Sequence, residues 1–214
     1  MKNLKHKAFI KQYFKEAEEI IRLMPVQDIN KIIDILFDAW RNDAIVFVMG
    51  NGGSASTASH FAADLTKYTI MGKSYNENKK RFKVICLTDN APLISAWTND
   101  SGFNTIFTEQ LKPWIKKGDV VFGFSVHGGS LVQKDDEWSQ NITKAFAFAK
   151  NKGATLIGLA GDTGGAMKSM SDACVVVPTV NKETITTHSE GFHLIIHHLI
   201  IHRLKELIGK WKDK

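Results

Sequence analysis

A chain of 214 residues, 43% apolar and 23% charged, can bury one sizeable core, and it has no apolar run of the roughly 18 residues that a bilayer span needs. Its net charge of +6 is scattered, with clusters at Lys79-Lys80-Arg81 and from Lys205 to Lys214, and no basic stripe is interleaved with aromatics, so neither a membrane nor nucleic acid is the expected partner. The opening MKNLKHKAFIKQYFKEAEE lacks the uncharged apolar stretch of a secretion signal, so a cytoplasmic protein is expected, with Cys86 and Cys174 reduced inside apolar runs.

From Leu4 to Met24, Phe9, Ile10, Tyr13, Phe14, Ala17, Ile20, Ile21 and Met24 recur at helical spacing and predict one buried stripe. Pro25 ends that helix. A second is expected to start with Asp28 as N-cap and to bury Ile29, Ile32, Ile33, Leu36, Phe37 and Trp40. The period then changes. Ala44 to Gly50 is continuously apolar, as a strand covered on both faces requires. Similar runs follow at Phe82 to Thr88, Val120 to Ser125, Ala154 to Ala160 and Ala173 to Val177. Polar stretches at Gly72 to Arg81 and Leu131 to Glu137 read as exposed loops, and Thr186 to Ile208 as a long final helix. Strands alternating with helices predict an α/β fold, a doubly wound five-stranded parallel sheet in a flavodoxin-like three-layer arrangement. One domain over residues 1–214 is expected, with a helical segment at 1–42 and the α/β core with its last helix at 43–214.

Ligands bind such sheets at the carboxyl ends of the strands. The first strand is followed by Gly50-Asn51-Gly52-Gly53-Ser54 and then a helix, ASTASHFAADL. Glycines let backbone approach a ligand, and a helix N-terminus favours an anion. The loop lacks the Gly-Lys-Ser/Thr ending of a Walker loop, and no acidic residue completes a dinucleotide fingerprint. The third strand is followed by Ser125-Val126-His127-Gly128-Gly129-Ser130. Together the two loops predict a cradle for a phosphate ester, built from backbone N–H groups and serine hydroxyls.

The segments GNGGSASTASHFAADL, AWTNDSGFNTIF and GFSVHGGS resemble the sugar isomerase (SIS) domain proteins, and among them most nearly the phosphoheptose isomerases. That resemblance covers nearly the whole chain. It implies interconversion of sedoheptulose 7-phosphate and a heptose 7-phosphate, or of a related phosphorylated sugar, by a homo-oligomer, a tetramer. It implies substrate contacts from Asn51, Gly52, Gly53, Asn99, Asp100, Ser125, Val126 and His127, to which the loop itself adds the hydroxyl of Ser54. The family's phosphate loop reads Ser-Thr-Ser-Gly-Asn-Ser. Val126, His127 and Gly129 depart from it, and its last serine corresponds to Ser130 or, past an insertion, to Ser139.

The resemblance also implies a metal site, with zinc first in view of the His and carboxylate donors. His60 and Asp64 share a helix face at i, i+4. On the last helix His197 matches the family's histidine, but its glutamine falls on Ser189. Glu190, His193 and His197, at i, i+3 and i+7, offer a replacement set. Asp64 and His197 are the expected acid and base, with Asp64 at the migrating proton and His197 protonating the oxygen. The alternative is a non-catalytic SIS protein that binds a sugar phosphate, such as one that binds the bacterial replication initiator.

Overall fold

The computed structural model describes residues 5–70, 78–130 and 138–211. The predicted loop at Leu131 to Glu137, and most of that at Gly72 to Arg81, lie outside them. Two helices lead, α1 (Lys7–Leu23) and α2 (Val26–Arg41). Then come β1 (Ile45–Gly50), α3 (Gly53–Thr66), β2 (Lys83–Cys86), α4 (Ala91–Ser101) and α5 (Ile106–Leu111). The second half holds β3 (Val120–Ser125), α6 (Gln140–Asn151), β4 (Thr155–Ala160), α7 (Gly165–Met170), β5 (Ala173–Val176) and α8 (Ile185–Lys210).

The strands form one parallel sheet in the order β2-β1-β3-β4-β5. β1, β3 and β4 are buried on both faces, which is why they read as unbroken apolar runs. Alternate side chains serve two cores. Val46, Val48, Phe122, Phe124, Ile157 and Leu159 face α2, α3 and α8. Phe47, Met49, Val121 and Leu156 face α5, α6 and α7. The edge strand β2 is only half covered and shorter than the predicted Phe82 to Thr88.

Three helix-level expectations change. α2 starts at Val26, with Pro25 at its N-cap and no side-chain cap, so Asp28 sits inside the first turn, where its charge favours the helix dipole. The α1 stripe is largely uncovered in this chain: Phe9, Phe14 and Ile21 are 69%, 65% and 62% exposed, and only Glu16 and Ile20 are buried. Glu16 docks α1 through polar contacts, accepting from Asn181 Nδ2 at 2.8 Å and Thr184 Oγ1 at 2.9 Å and pairing with His188 Nε2 at 3.0 Å. These donors hold its carboxyl down at about 2. Finally, α8 runs 26 residues, slightly past both predicted ends. Among the described residues no helix is long and apolar enough to cross a membrane.

The chain winds outward from β1 in both directions, with β2 on one side and β3 on the other. The carboxyl ends of β1 and β3 therefore flank the switch point of the sheet, where a crevice opens. Gly50 registers with Phe124, so the loops beginning at Asn51 and Ser125 start side by side.

Candidate functional site

A cavity of about 190 Å³ lies at that crevice. Asn51 and Ser54 line it from the β1 loop, Ser125, Val126 and His127 from the β3 loop, and Ser139 from the start of α6. Trp138, Thr186 and Glu190 complete the wall. Ser139, rather than Ser130, is the later serine that reaches the lining. Asn51 also fixes the cavity's shape. Its amide and that of Asn141 exchange hydrogen bonds at 2.9 and 2.8 Å, and Asn141 Oδ1 accepts from the Ile142 N–H at 2.9 Å at the head of α6.

Two glycines make the close approaches possible. Gly53 lies against α8, where a Cβ would stand 2.7 Å from the Glu190 carboxyl carbon. Gly128 has φ +72°, and a Cβ there would drive into the Gly164 carbonyl. The β3 loop is thus laid directly on the β4 loop. Gly161 N–H donates to the Val126 carbonyl at 2.9 Å, and Met167 and Ala166 N–H donate to Gly128 and Gly129, each at 2.9 Å. Ser125 Oγ accepts from the Gly128 N–H at 3.1 Å, which turns the loop back on its strand. His127 Nδ1 lies 3.3 Å from Asp162 Oδ2, and its ring meets the Trp138 ring edge-on, centroids 4.7 Å apart.

A second cluster stands farther along the groove between α3 and α8. His60, Asp64, His197 and His198 bring one ligand atom each to within 4.8 Å of one another, a set fit to hold a metal ion. Asp64 Oδ2 is the hub, 3.0 Å from His197 Nε2, 3.4 Å from His60 Nε2 and 3.7 Å from His198 Nε2. His197 is fully buried, and among the described residues its Nδ1 has no hydrogen-bond partner. Burial, against the help of Asp64, pushes its pKa down to about 4, so the ring is neutral near pH 7.

The expected fourth group of this cluster, His193 or Glu190, is replaced by His198. Glu190 precedes His197 by seven residues, about 10 Å of helix, and faces Gly53 in the cavity instead. His193 is fully buried with its ring toward Phe124. Neither of its nitrogens has a partner in hydrogen-bond geometry; burial lowers its pKa to about 4, and only the Ala160 carbonyl works against that. Asn99 and Asp100 lie at the exposed end of α4, bonded to each other at 2.8 Å, and do not line the cavity. Ser189 sits against Gly161, where it packs the β4 loop onto α8.

Reading the sequence missed Asn141, Asp162, Thr186 and His198. Asp162 follows β4 at its carboxyl end, where the switch-point rule already directs attention. His198 directly follows a residue that was chosen.

Cavity and cluster share two helices. Ser54 and His60, six residues apart on α3, are separated by about 9 Å of helix rise. Hydroxyls, amides and glycine backbone at one end, and imidazoles around a carboxylate at the other, suit an elongated polar ligand with an anionic end.

The chain matches the SIS domain family over residues 12–161. It is 40% identical over 166 residues to the lincomycin biosynthesis protein LmbN of Streptomyces lincolnensis, covering 78% of this chain but only 58% of that protein's length. It is 31% identical over 198 residues to the phosphoheptose isomerase of Helicobacter hepaticus, covering 92% of this chain and 90% of the relative. The structure of phosphoheptose isomerase GmhA from Neisseria gonorrhoeae superposes with a TM-score of 0.76 over 94% of this chain and 97% of that one, at 23% identity, so the fold is shared well beyond the reach of sequence. With one family model spanning most of the chain and a phosphoheptose isomerase aligned over 90% of its own length, the chain belongs to the SIS domain family, among the sugar-phosphate isomerases of the phosphoheptose isomerase type.

Proposed function

We propose that this protein interconverts sedoheptulose 7-phosphate, or a closely related ketose phosphate, with its aldose, acting as a cytoplasmic homotetramer. The observation that carries the reading is the convergence of His60, Asp64, His197 and His198 one sugar length from the switch-point cavity. The phosphate sits against Ser54, Ser125 and Ser139, and the sugar extends along α3, which puts its carbonyl end beside Asp64.

Aldose–ketose isomerisation moves a proton between adjacent carbons through an enediol. Asp64 takes the proton from one carbon and returns it to the other. His197, neutral at pH 7, donates Nε2–H to the Asp64 oxygen 3.0 Å away and holds it in place. That assignment moves His197 from the acid role expected of an ordinary imidazole to a donor role, because burial keeps its proton count at one. His60 and His198, on the open side of Asp64, face the sugar oxygens.

With His197 Nε2–H donating to Asp64 from behind, His60, Asp64 and His198 are the three donors that would hold zinc, leaving a fourth position for substrate. Bound there, zinc would polarise the substrate carbonyl and stabilise the oxyanion of the enediol.

A panel of ketose and aldose phosphates of five to eight carbons, assayed with and without added zinc, tests the reading. Wild type should isomerise at least one, and His197→Ala, assayed at a temperature where its circular dichroism shows it folded because loss of a fully buried imidazole lowers stability, should lose 100-fold or more, roughly the worth of a positioned acid–base group. No turnover by the wild type under either condition would favour a binding protein. Wild-type rates in His197→Ala would remove the cluster from the mechanism.

A further inference from the structure

We propose that Glu16 is a positioning residue for the site: from α1 it holds the first two turns of α8, and through them the part of the cavity wall formed by Thr186 and Glu190. The inference rests on the isomerase reading above for the reaction that this wall serves.

Glu16 and Ile20 are the buried residues of α1. A buried carboxylate is costly unless hydrogen bonds satisfy its oxygens. Both oxygens of Glu16 are satisfied. Oε1 accepts from Asn181 Nδ2 at 2.8 Å and from Gln12 Nε2 at 3.2 Å. Oε2 accepts from Thr184 Oγ1 at 2.9 Å and lies 3.0 Å from His188 Nε2. A carboxylate only accepts, so His188 turns an Nε2–H toward it. Tyr13, three residues before Glu16, stacks on the same imidazole with centroids 4.1 Å apart. Three of the four donors thus come from one short stretch, Asn181 to His188, which enters α8 and makes its first turn. Asn181 also shapes that entry, its Oδ1 accepting from the Glu183 N–H at 3.1 Å.

The opposite face of the same turns belongs to the site. Residues two apart on a helix point about 200° apart. His188 faces α1, so Thr186 and Glu190 face away from it, and both line the cavity. The fit on that side leaves no slack. The Glu190 carboxylate stands where a Cβ of Gly53 would be, and the Ser189 hydroxyl where a Cβ of Gly161 would be. A shift at the head of α8 therefore moves Glu190 against the β1 loop and Ser189 against the β4 loop. Truncating Glu16 removes the shared acceptor of three buried or half-buried donors, and the penalty falls on that stretch of chain.

Hydrogen exchange and steady-state kinetics on the full chain test the assignment together. The amides of residues 188–194 donate to the carbonyls of 184–190 and report on the head of α8. In Glu16→Ala they should exchange about tenfold faster than in the wild type, the worth of a buried hydrogen bond, while the amides of β3 and β4 keep their rates. For the sugar phosphate that the wild type turns over, kcat/KM should fall about 100-fold, the scale of an ångström-sized misplacement. Glu16→Gln keeps an oxygen for Asn181 and turns an amide toward Thr184 and His188. It should restore slow exchange and bring kcat/KM to within about tenfold of the wild type. Should Glu16→Ala fail to fold, Thr184→Val removes one donor at nearly constant shape and should show the same local effect, with kcat/KM down about three- to tenfold. Unchanged exchange at 188–194 in the folded variant, equal acceleration across the sheet, or wild-type kcat/KM overturns the assignment. A wild type that turns over no sugar phosphate rejects the isomerase reading, and exchange quickened at 188–194 alone then still identifies Glu16 as what holds the cavity wall.

Discussion

At Gly53 the backbone of α3 lies against the carboxylate of Glu190, while at Gly128 the β3 loop lies against the backbone of Gly164. The same substitution should therefore have different consequences at the two positions. In Gly53→Ala the new methyl meets the end of a flexible side chain, which can rotate away into the cavity. Stability should change little, but the displaced Glu190 intrudes on the bound sugar, and kcat/KM should fall about ten- to a hundred-fold. In Gly128→Ala the methyl meets a fixed carbonyl from a backbone at φ +72°, so the fold itself should lose about 1–3 kcal/mol. Thermal melts and steady-state kinetics on both variants check the contrast, and equal melting temperatures for the two would contradict it. At this scale the sequence was informative where chemistry clusters in one loop, as in Gly50 to Ser54. It was silent where a residue's part depends on a contact from a distant loop. Asp162 matters through His127, and Asn141 through Asn51; neither pairing leaves a local trace.

The element that most shapes the site is α8, which presents one histidine to the core and others to α3. Among the described residues His193 has only the Ala160 carbonyl as a polar contact of its buried ring, and His197 has a partner for only one of its nitrogens. Both have pKa values lowered from the ordinary 6.5 to about 4, chiefly by desolvation. The unfolded chain therefore binds more protons than the native one between those values. The stability tied to the neutral rings is fully present above pH 6.5 and is lost as pH falls toward about 4. His193→Leu removes a buried imidazole that has the Ala160 carbonyl as its polar neighbour, and one of these titrations. Its melting temperature at pH 7 should equal or exceed that of the wild type, and the drop between about pH 6.5 and 4.5 should shrink by about half, since His197 still titrates. A variant with the wild-type pH slope would show that His193 is not what α8 holds neutral. The same helix marks the limit of periodicity as a guide. Spacing at i, i+3 and i+7 grouped Glu190, His193 and His197 on one face, but three neighbours divide that face: the cavity takes Glu190, the sheet takes His193 and α3 takes His197 with His198. The strands were legible because burial on both faces leaves a continuous apolar run. β2, an edge strand whose residues are partly buried on both faces, was read too long because Phe82 and Leu87, just beyond its ends, are buried too.

Considered as a whole, the chain leaves apolar surface that its own core does not use. Phe9, Ile10, Phe14 and Ile21 project from α1, and Ile195 and Leu199 from α8, each between 48% and 69% exposed. Between them Ile21, Val26, Ile29, Ile33, Ile195 and Leu199 border an apolar groove of about 350 Å³. Monomeric proteins seldom expose a contiguous apolar patch this rich in large side chains. The stripe of α1 that periodicity predicts to be buried is thus largely exposed in a single copy, because periodicity shows that a helix has an apolar face and not what covers it. A second copy whose own α1 lies along this groove would cover both stripes at once, because a twofold contact places the same patch on both sides. It would also press on the start of α8 through Glu16, whose bonds to Asn181, Thr184 and His188 tie α1 to the helix that carries Glu190 and His197. Sedimentation velocity at micromolar concentration should accordingly show at least a dimer for the wild type, and the proposed tetramer if a second contact pairs the dimers. The double variant Phe14→Glu, Ile195→Glu places four like charges in each twofold contact and should sediment as a smaller species. If α1 contacts help hold the start of α8, that species should also lose isomerase activity while keeping its circular dichroism spectrum. A wild-type monomer would remove the interface from the account. A dissociated double variant with full activity would leave the interface in place and show that each copy builds its site alone.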